Sequence, residues 1–475
     1  MTPSRISIVI LCSSTLPIAC ASIPKDAGFG DVRQTVTAAT GQKLEWDPSK
    51  PVQPPDDATV AALLREPMTA DRAVELAFAN NRDLQATLEG LGVARADLIA
   101  ASTVRNPLFH AEMRFPGSPY KPYEIGVVQT LVDIINLGSR KKQGRAQFAA
   151  AQVRVAGAAM NFAGQVRTDY YDVLAARKIV SQQETILKAQ GAATELAGRQ
   201  QTAGNISDLD LEREQSRYEQ AKLDYARGQL DELIARERLV TALGLVQRAE
   251  IQLPDDFPPL PAAEPTVPEV EQQVATRRLD LRVAQRDIEA AQAALGVART
   301  AVLDGLDVGG HLEKEPDGKL TTGPSVEVPV PIFDRGAARK TGATARLRQA
   351  QQRLAALTVT ARSEARAALE RLLEARARMN YMRDVVTPRR ERILRLTQLE
   401  YNAMLRGVFQ LIEARKELAS AQREEVSATR DYWVARTELE TAVSGVGGFS
   451  VRSEAGETPR RGSTTAMREQ PSREH

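Results

Sequence analysis

Val128-Gln129-Thr130-Leu131-Val132 and Val326-Glu327-Val328-Pro329-Val330 are two versions of one stretch, and their relation decides how this chain folds. Further pairs follow at nearly the same offset: Asn81-Arg82-Asp83-Leu84 with Arg278-Leu279-Asp280-Leu281, Asn136 with Asp334, and Gly138 with Gly336. A period of about 200 residues is too long for a solenoid, so the chain is a duplicated unit rather than a repeat array. Each copy holds a strand pair too small to stand alone, which indicates that several copies close together.

The composition favours long packed helices and excludes several classes of function. Aromatic residues make up only 4% of the 475 residues, which is thin for globular cores. Lys and Arg total 63 against 61 Asp and Glu, so no nucleic-acid partner is expected. The only cysteines are Cys12 and Cys20, so the body holds no disulfide and no thiolate nucleophile. Because metalloprotease and nucleophile-elbow motifs are also absent from the sequence, we expect no enzyme, no catalytic residue and no cofactor.

The first 20 residues have the features of an export signal. Arg5 precedes an apolar run from Ile6 to Leu11, and a second apolar stretch ends at Ala19-Cys20. The pattern resembles a bacterial lipoprotein signal, which implies a mature chain beginning at a lipidated Cys20. Pro17 departs from that pattern, and an ordinary secretory signal cleaved nearby is the alternative.

Changes in composition divide the chain into six segments. In chain order they are a signal peptide of lipoprotein type (1–20), an extended surface arm (21–67), a first repeat (68–250), a proline-rich linker (251–268), a second repeat (269–448) and a disordered tail (449–475).

Apolar periodicity and turn residues predict long helices in both repeats. The predicted helices cover about 70–102, 138–203, 207–243, 270–302 and 335–443, the last with a kink at Pro388 and a turn near 405–407. Within the last of these, a seven-residue spacing runs from Leu347 to Met382 and includes several alanines. This spacing predicts a coiled-coil seam with close helix approach.

Alternation of apolar and polar residues predicts four short strands, near 108–115, 123–135, 306–313 and 324–332. Apolar faces outward and polar faces inward are typical of a transmembrane barrel with a watery lumen, and three chains would supply twelve strands. The candidates for lumen-facing positions are His110, Glu112, Arg114, Asp307, His311, Glu313 and Glu327.

From about residue 70 to 448 the chain resembles the TolC-type outer-membrane efflux family. Besides the duplicated layout, the resemblance rests on Asn106-Pro107, Pro329-Val330-Pro331-Ile332-Phe333-Asp334-Arg335-Gly336, Gly407-Val408-Phe409-Gln410-Leu411 and Asp431-Tyr432-Trp433. The details are closest to the heavy-metal branch, whose members serve copper and cobalt, zinc and cadmium resistance systems. Leu137-Gly138 departs from it, because copy one lacks the Phe-Asp-Arg of copy two.

The resemblance implies a mostly α fold with a small β part and a duplicated helix-strand-strand-helix layout. The implied assembly is a homotrimer that forms a twelve-stranded outer-membrane β-barrel on a long periplasmic α-helical coiled-coil tunnel. The implied function is passive conduction of heavy-metal cations through the outer membrane of a Gram-negative bacterium. The implied partners are a periplasmic adaptor, an inner-membrane resistance-nodulation-division pump and outer-membrane lipid.

Two other functions remain open at this point. A duct for drugs or other organic solutes has nearly the same sequence features as a metal duct. A periplasmic coiled-coil adaptor or structural protein is the alternative of another class, although it predicts no membrane strands. The duplicated amphipathic strand pairs argue against the adaptor.

Two sets of residues are candidate sites. His110 with Glu112, and His311 with Glu313, place imidazole and carboxylate on one strand face, so they are candidates for weak metal contacts during transit, and ordinary polar lining is the alternative. The helix turns are candidates for the periplasmic tip and for adaptor docking; their residues are Gly204, Asn205, Ser207, Asp208, Arg406, Gly407 and Gln410. We expect Gly204 and Gly407 to permit the tight turns, and plain helix caps are the alternative.

Overall fold

A computed structural model describes residues 28–46, 67–115, 121–245, 251–315 and 317–445. The helices are α1 (Phe29–Thr40), α2 (Ala70–Asn80), α3 (Arg82–Ala101), α4 (Leu131–Thr202), α5 (Asp208–Ala242), α6 (Val267–Arg277), α7 (Leu279–Arg299), α8 (Ala337–Tyr381), α9 (Thr387–Asn402) and α10 (Val408–Ser444). A 3-10 turn (Ala301–Leu303) follows α7, and a π-helical turn (Met382–Val386) joins α8 to α9. The strands are β1 (Leu108–Met113), β2 (Tyr123–Thr130), β3 (Asp307–Lys314) and β4 (Leu320–Glu327).

The helices begin where the sequence supplies capping groups. The Thr69 and Asn81 side chains accept hydrogen bonds from the first-turn amides of α2 and α3. Thr266 and Glu269 form a reciprocal capping box at the start of α6. The longest helix, α4, has 72 residues and therefore extends about 110 Å.

The four strands form one antiparallel sheet in the order β1-β2-β3-β4. The central pair joins the two repeats, because β2 belongs to the first and β3 to the second. Pro324 in β4 lies opposite Gly310, and proline is tolerated there because β4 is an edge strand. The sheet therefore continues across the duplication.

The core lies where α4 packs against α1, α2, α3, α5, α7 and α10. Tyr171 of α4 stacks on Trp433 of α10 at 5.4 Å between ring centroids and on Phe257 of the linker at 6.5 Å. In α8 the predicted seam is buried from Ala361 to Met382, whereas Leu347 and Leu354 above it are only partly buried. Alanines in that seam let α8 approach α10 closely.

In each repeat, one side chain at the junction of two helices donates hydrogen bonds to the end of the returning helix, but the residue type differs between the repeats. Asn81 stands between α2 and α3, and its amide donates to Ala242 O (3.0 Å) and, at 3.4 Å, to Thr241 O at the end of α5. Arg278 stands at the corresponding point between α6 and α7, and is 1% exposed. Its guanidinium donates to Ala442 O (3.0 Å) near the end of α10 and to Ala361 O (3.2 Å) in α8. The duplicated position thus ties each hairpin to its own repeat.

Several sequence predictions of element bounds are corrected by the structure. The second strand ends at Thr130 rather than near 135, because α4 begins there with Asp133 favourably placed in its first turn. The fourth strand runs 320–327 rather than 324–332, because Pro329 and Pro331 cannot donate ladder hydrogen bonds. The third strand shifts by one residue, and the helices predicted at 70–102 and 270–302 each break once, at Asn81 and Arg278.

The expected extended arm also differs from the structure where it is described. Residues 29–40 are helical, because Phe29, Val32 and Val36 lie on one face that packs against α4. The predicted signal, Cys20, most of the rest of the arm and the predicted tail lie outside the described residues. Near Pro388 the helix contains the π-helical turn, which is the local irregularity found at the predicted kink.

Among the described residues, none of the helices combines the length and the apolar character that crossing a membrane requires.

Candidate functional site

The sheet register brings the polar strand candidates onto one face. His110 lies opposite Gly126, which lies opposite His311, and the next row contains Glu112, Glu124 and Glu313. Asp307 pairs directly with Glu327 further along the same face. Since directly paired residues of a sheet share a face, the strand candidates form one continuous polar surface.

Arg114 balances much of the charge in the second of these rows. Its guanidinium lies 2.9 Å from Glu112, 3.4 Å from Glu124 and 3.8 Å from Glu313. Glu124 also lies 3.6 Å from His110 Nε2, so it connects the imidazole with the arginine. All of these side chains are at least partly exposed, so each pair contributes little stability.

The histidine rings each occupy space left by a glycine on the next strand. A Cβ built on Gly126 would lie 2.1 Å from His110 Cε1, and one built on Gly323 would lie 3.6 Å from His311 Cε1. Both rings therefore lean in the same direction across the sheet and do not converge. Within the described part of one chain, no group of three or more His, Cys, Asp or Glu side chains is placed to hold a metal ion.

The opposite face of the sheet is apolar and exposed. Its large side chains include Phe109, Met113, Ile125, Val127 and Val326. Among the described strands, β1 and β4 each pair on one side only. The sheet therefore presents two unpaired edges and one uncovered apolar face.

The turn between α4 and α5 is a glycine-closed helix end. Gly204 has φ +75°, and the Asn205 amide donates to Gln200 O at 2.8 Å, as in a Schellman motif. Ser207 caps α5 by accepting from the Asp210 amide, and Asp208 accepts from the Gln201 amide group at 2.8 Å. The prediction that Gly204 permits this turn is confirmed.

The turn between α9 and α10 has the same backbone with a different residue at the left-handed position. Leu405 N donates to Glu400 O at 2.9 Å, which matches the first turn, but the residue with positive φ is Met404 at +57°. The prediction for Gly407 is wrong, because Gly407 has φ −83° and ψ 163° and stands where the first turn has Ser207. Arg406 pairs with Glu400 at 2.8 Å, and Gln410 lies in the first turn of α10. Met404 is 94% exposed and thus places a strained apolar residue at the tip.

Sequence reasoning missed a buried charge in the linker. Glu264 accepts from Arg376 (2.6 Å), Tyr432 Oη (2.7 Å) and Arg436 (3.1 Å). Its carboxylate is nearly enclosed, so the three donors fix the linker on α8 and α10. The partners lie more than 100 positions away in sequence, and no local pattern pointed to them.

Burial also shifts titrating groups in the middle of α4. Burial raises the pKa of the Asp169 carboxyl above its ordinary value, and Gln165 offsets part of this by a hydrogen bond. Burial raises the pKa of Tyr170 to about 12. A pKa raised by burial links the stability of the folded chain to pH.

The chain belongs to the outer membrane efflux protein family, whose pattern it matches over residues 73–245 and 270–445, once in each repeat. A relative, the cobalt-zinc-cadmium resistance protein CzcC of Cupriavidus metallidurans, is 23% identical over 370 residues, covering 75% of this chain and 85% of that protein. The predicted efflux family is confirmed by the family match.

Solved structures agree on the fold. A membrane protein from Pseudomonas aeruginosa matches with a TM-score of 0.68 at 19% identity, over 85% of this chain and 97% of that one. CusC matches with a TM-score of 0.65 at 17% identity, over 84% and 98% of the respective chains. The CmeC outer membrane channel of Campylobacter jejuni gives 0.68 at 16% identity, over 79% and 85%.

The predicted fold class, mostly helical with a small sheet and the architecture of TolC-like channels, is therefore confirmed. The protein is a channel of the outer membrane efflux family, and channels of this family work with an adaptor and a pump. Its relatives are outer membrane channels of Gram-negative bacteria.

Proposed function

We propose that three copies of this chain close their sheets into one twelve-stranded barrel in the outer membrane, above a helical tunnel in the periplasm. The observation that carries this proposal is the four-stranded sheet with two unpaired edges and an exposed apolar face. An exposed hydrophobic edge invites pairing with another chain, and closure removes the edges. The polar face with His110, Glu112, Arg114, Asp307, His311, Glu313 and Glu327 then lines the lumen.

The proposed substrates are heavy-metal cations such as copper, zinc, cobalt or cadmium. Support comes from the relative named for cobalt, zinc and cadmium resistance. The imidazole and carboxylate groups on the polar face are ligand types that suit such ions. Because they do not converge within one chain, contacts are weak and exchange rapidly, as conduction requires.

The proposed partners are a periplasmic adaptor and an inner-membrane resistance-nodulation-division pump, with the adaptor bound at the two helix turns. Backbone hydrogen bonds close the helix that precedes each turn, and Met404 and Leu405 add exposed apolar surface. Asp208 and Arg406 offer opposite charges at the two turns for contacts between neighbouring copies. An adaptor that covers Met404 would repay the backbone strain at that residue.

The proposed membrane anchor is a lipid on Cys20. Gly28 O accepts a hydrogen bond from the Gln152 amide at 2.8 Å, which fixes the start of the described chain on α4. Cys20 lies eight positions before Gly28, and eight residue steps can span about 26–29 Å. That reach is comparable with the rise of about 26 Å along α4 from Gln152 to Ile135, near the strands. A Cys20→Ser variant is expected to lose incorporation of radiolabelled palmitate, and full incorporation would exclude this site.

The first experiment is membrane fractionation of the full chain, followed by mass measurement of the detergent-purified complex. A trimer in the outer membrane supports the assembly. A periplasmic monomer or dimer would overturn it and favour the structural or adaptor alternative.

The substrate is tested in a host that lacks its own metal-efflux channel. We expect the protein, with its adaptor and pump, to restore tolerance to zinc, cobalt, cadmium or copper. The double variant His110→Ala/His311→Ala is expected to lower metal tolerance, whereas the matched control His475→Ala is not. Tolerance restored only to organic drugs would reject the metal assignment, and an unaffected double variant would reject the histidine contacts.

A further inference from the structure

The strands are shorter than the apolar band that an outer-membrane barrel presents. The longest have eight residues, which extend about 26 Å along the strand. Strands tilted by about 35–45° then cover only about 20 Å of a band about 25 Å tall. Residues outside the strands must supply the rest.

Exposed apolar residues follow the strands at this point in both repeats. Ile134 and Ile135 lie in the first turns of α4 and are exposed, although Val132 and Asp133 beside them are buried. In the second repeat Ile332 is 67% and Phe333 is 99% exposed, and both lie in the segment between β4 and α8. Ile135 is about 7 Å along the helix from the end of β2, which matches the missing height.

Segments that contain basic but no acidic residues come next. Residues 134–168 and 335–363 contain Lys and Arg but not a single Asp or Glu. Lys142, Arg145, Arg335 and Lys340 are exposed, and none of them forms a salt bridge with another residue in the described parts of the chain. The order of strand, exposed apolar pair and free cations therefore occurs twice.

Resting on the proposed membrane insertion, we propose that these two segments are interfacial anchors for the periplasmic leaflet of the outer membrane. Ile134, Ile135, Ile332 and Phe333 complete the apolar band, and Lys142, Arg145, Arg335 and Lys340 bind anionic phospholipid headgroups. An apolar side chain followed by a cation fits this boundary, because the first enters the acyl region and the second pairs with phosphate. Six such segments would surround a trimer.

Site-directed spin labels test the apolar half of the proposal. Cys12 and Cys20 are the only cysteines of the sequence, so Cys12→Ser/Cys20→Ser protein with a single cysteine at Ile135 or Phe333 carries one label. In liposomes we expect both labels to be relaxed by oxygen, which partitions into lipid, more than by a water-soluble nickel chelate. Val359→Cys is the control, because Val359 is also exposed but lies in the middle of α8. Nickel accessibility at residues 135 and 333 equal to that at 359 would overturn the proposal.

Lipid selectivity tests the basic half. The full chain is purified with equal amounts of phosphatidylglycerol and phosphatidylcholine, and bound lipids are counted by native mass spectrometry. We expect a preference for phosphatidylglycerol that falls at least about tenfold in the variant Lys142→Gln/Arg145→Gln/Arg335→Gln/Lys340→Gln, since each cation near an anionic surface contributes about fivefold. The matched control is Arg348→Gln/Arg353→Gln/Arg389→Gln/Arg392→Gln, which removes four exposed cations farther from the sheet. Equal selectivity in both variants would refute headgroup binding.

Failure of this inference is separable from failure of the proposed function. Wild-type protein that does not float with liposomes contradicts membrane insertion itself. Protein that inserts as a trimer, but shows aqueous labels and unchanged lipid selectivity, contradicts only the anchors.

Discussion

Replacing Arg278 by alanine is expected to release the end of α10 from the second repeat while leaving the first repeat intact. Arg278 is almost completely buried and donates to both carboxylate oxygens of Asp280 at 3.0 Å, to Ala361 O and to Ala442 O. It also pairs with Glu364. The substitution removes all of these donors at once.

The magnitude follows from what alanine leaves behind. Asp280 remains buried and loses its arginine partner, and breaking a buried pair in this way costs about 3–5 kcal/mol. Glu364 is partly exposed and can turn to water, so it adds little. The corresponding Asn81→Ala variant loses the N-cap of α3 and the 3.0 Å hydrogen bond to Ala242 O, which together cost about 1–2 kcal/mol.

Hydrogen exchange measured by mass spectrometry separates the two effects. In Arg278→Ala we expect peptides covering 437–445 to exchange at least about 100-fold faster, because about 1.4 kcal/mol corresponds to tenfold. Peptides covering 237–245, at the end of α5, serve as the internal control and are expected to change only in Asn81→Ala, by about 5–30-fold. Exchange within twofold of wild type at 437–445 would refute the assignment of Arg278 as the anchor.

Three further predictions follow from the tips, the buried tyrosine and the linker. Met404→Gly is expected to stabilise its turn by about 1–2 kcal/mol, and Gly204→Met is expected to destabilise the other turn by a similar amount, because a side chain is strained at positive φ. Hydrogen exchange should then be slower at 399–407 in the first variant and faster at 199–207 in the second. No change in either variant would exclude the strain. Burial raises the pKa of Tyr170 from an ordinary 10.0 to about 12. Between these values the unfolded chain ionises first, so the stability of the folded chain falls as pH rises above about 10. Tyr170→Phe should flatten the decline in melting temperature over this range, and an unchanged slope would contradict the role of burial. Glu264→Gln is expected to loosen the linker by about 1.5–3 kcal/mol, because Arg376 and Arg436 lose a charged acceptor. Limited proteolysis should then cut 257–268 faster. The control is Glu271→Gln in α6, whose side chain is partly exposed and pairs with Arg366, and equal rates for both variants are the contrary result.

The helical hairpins could be predicted well from sequence because their signals are local. The turn Ala203-Gly204-Asn205 and the cap at Ser207 act within one helix end, so reading them needs no knowledge of the rest of the chain. The second turn was wrongly assigned to Gly407, because glycine is the residue that usually occupies a left-handed position. Met404 occupies a position that sequence statistics give to glycine, and only the backbone shows it.

For the polar residues of the strands, the sequence predicted the shared face but not the neighbours on other strands. Alternation along 108–115 correctly predicted which side chains of β1 share a face, since that follows from a period of two. That Glu112, Glu124 and Glu313 stand in one row, with Arg114 beside them, depends on register between strands of both repeats. Register across almost 190 residues is set by packing and turns rather than by any local pattern.

By itself, the sequence determined the duplication, the long helices and the amphipathic strands, because each is a periodicity along the chain. The efflux family entered as a resemblance of motifs, and the family match confirms it. Only the tertiary structure showed that Asn81 and Arg278 both donate hydrogen bonds to the end of a returning helix, and that Glu264 holds the linker on α8 and α10. Buried polar groups must find partners wherever the fold brings them, and those partners are distant in sequence. Which polar groups are buried, and which partners they find, can therefore be read only from the folded chain.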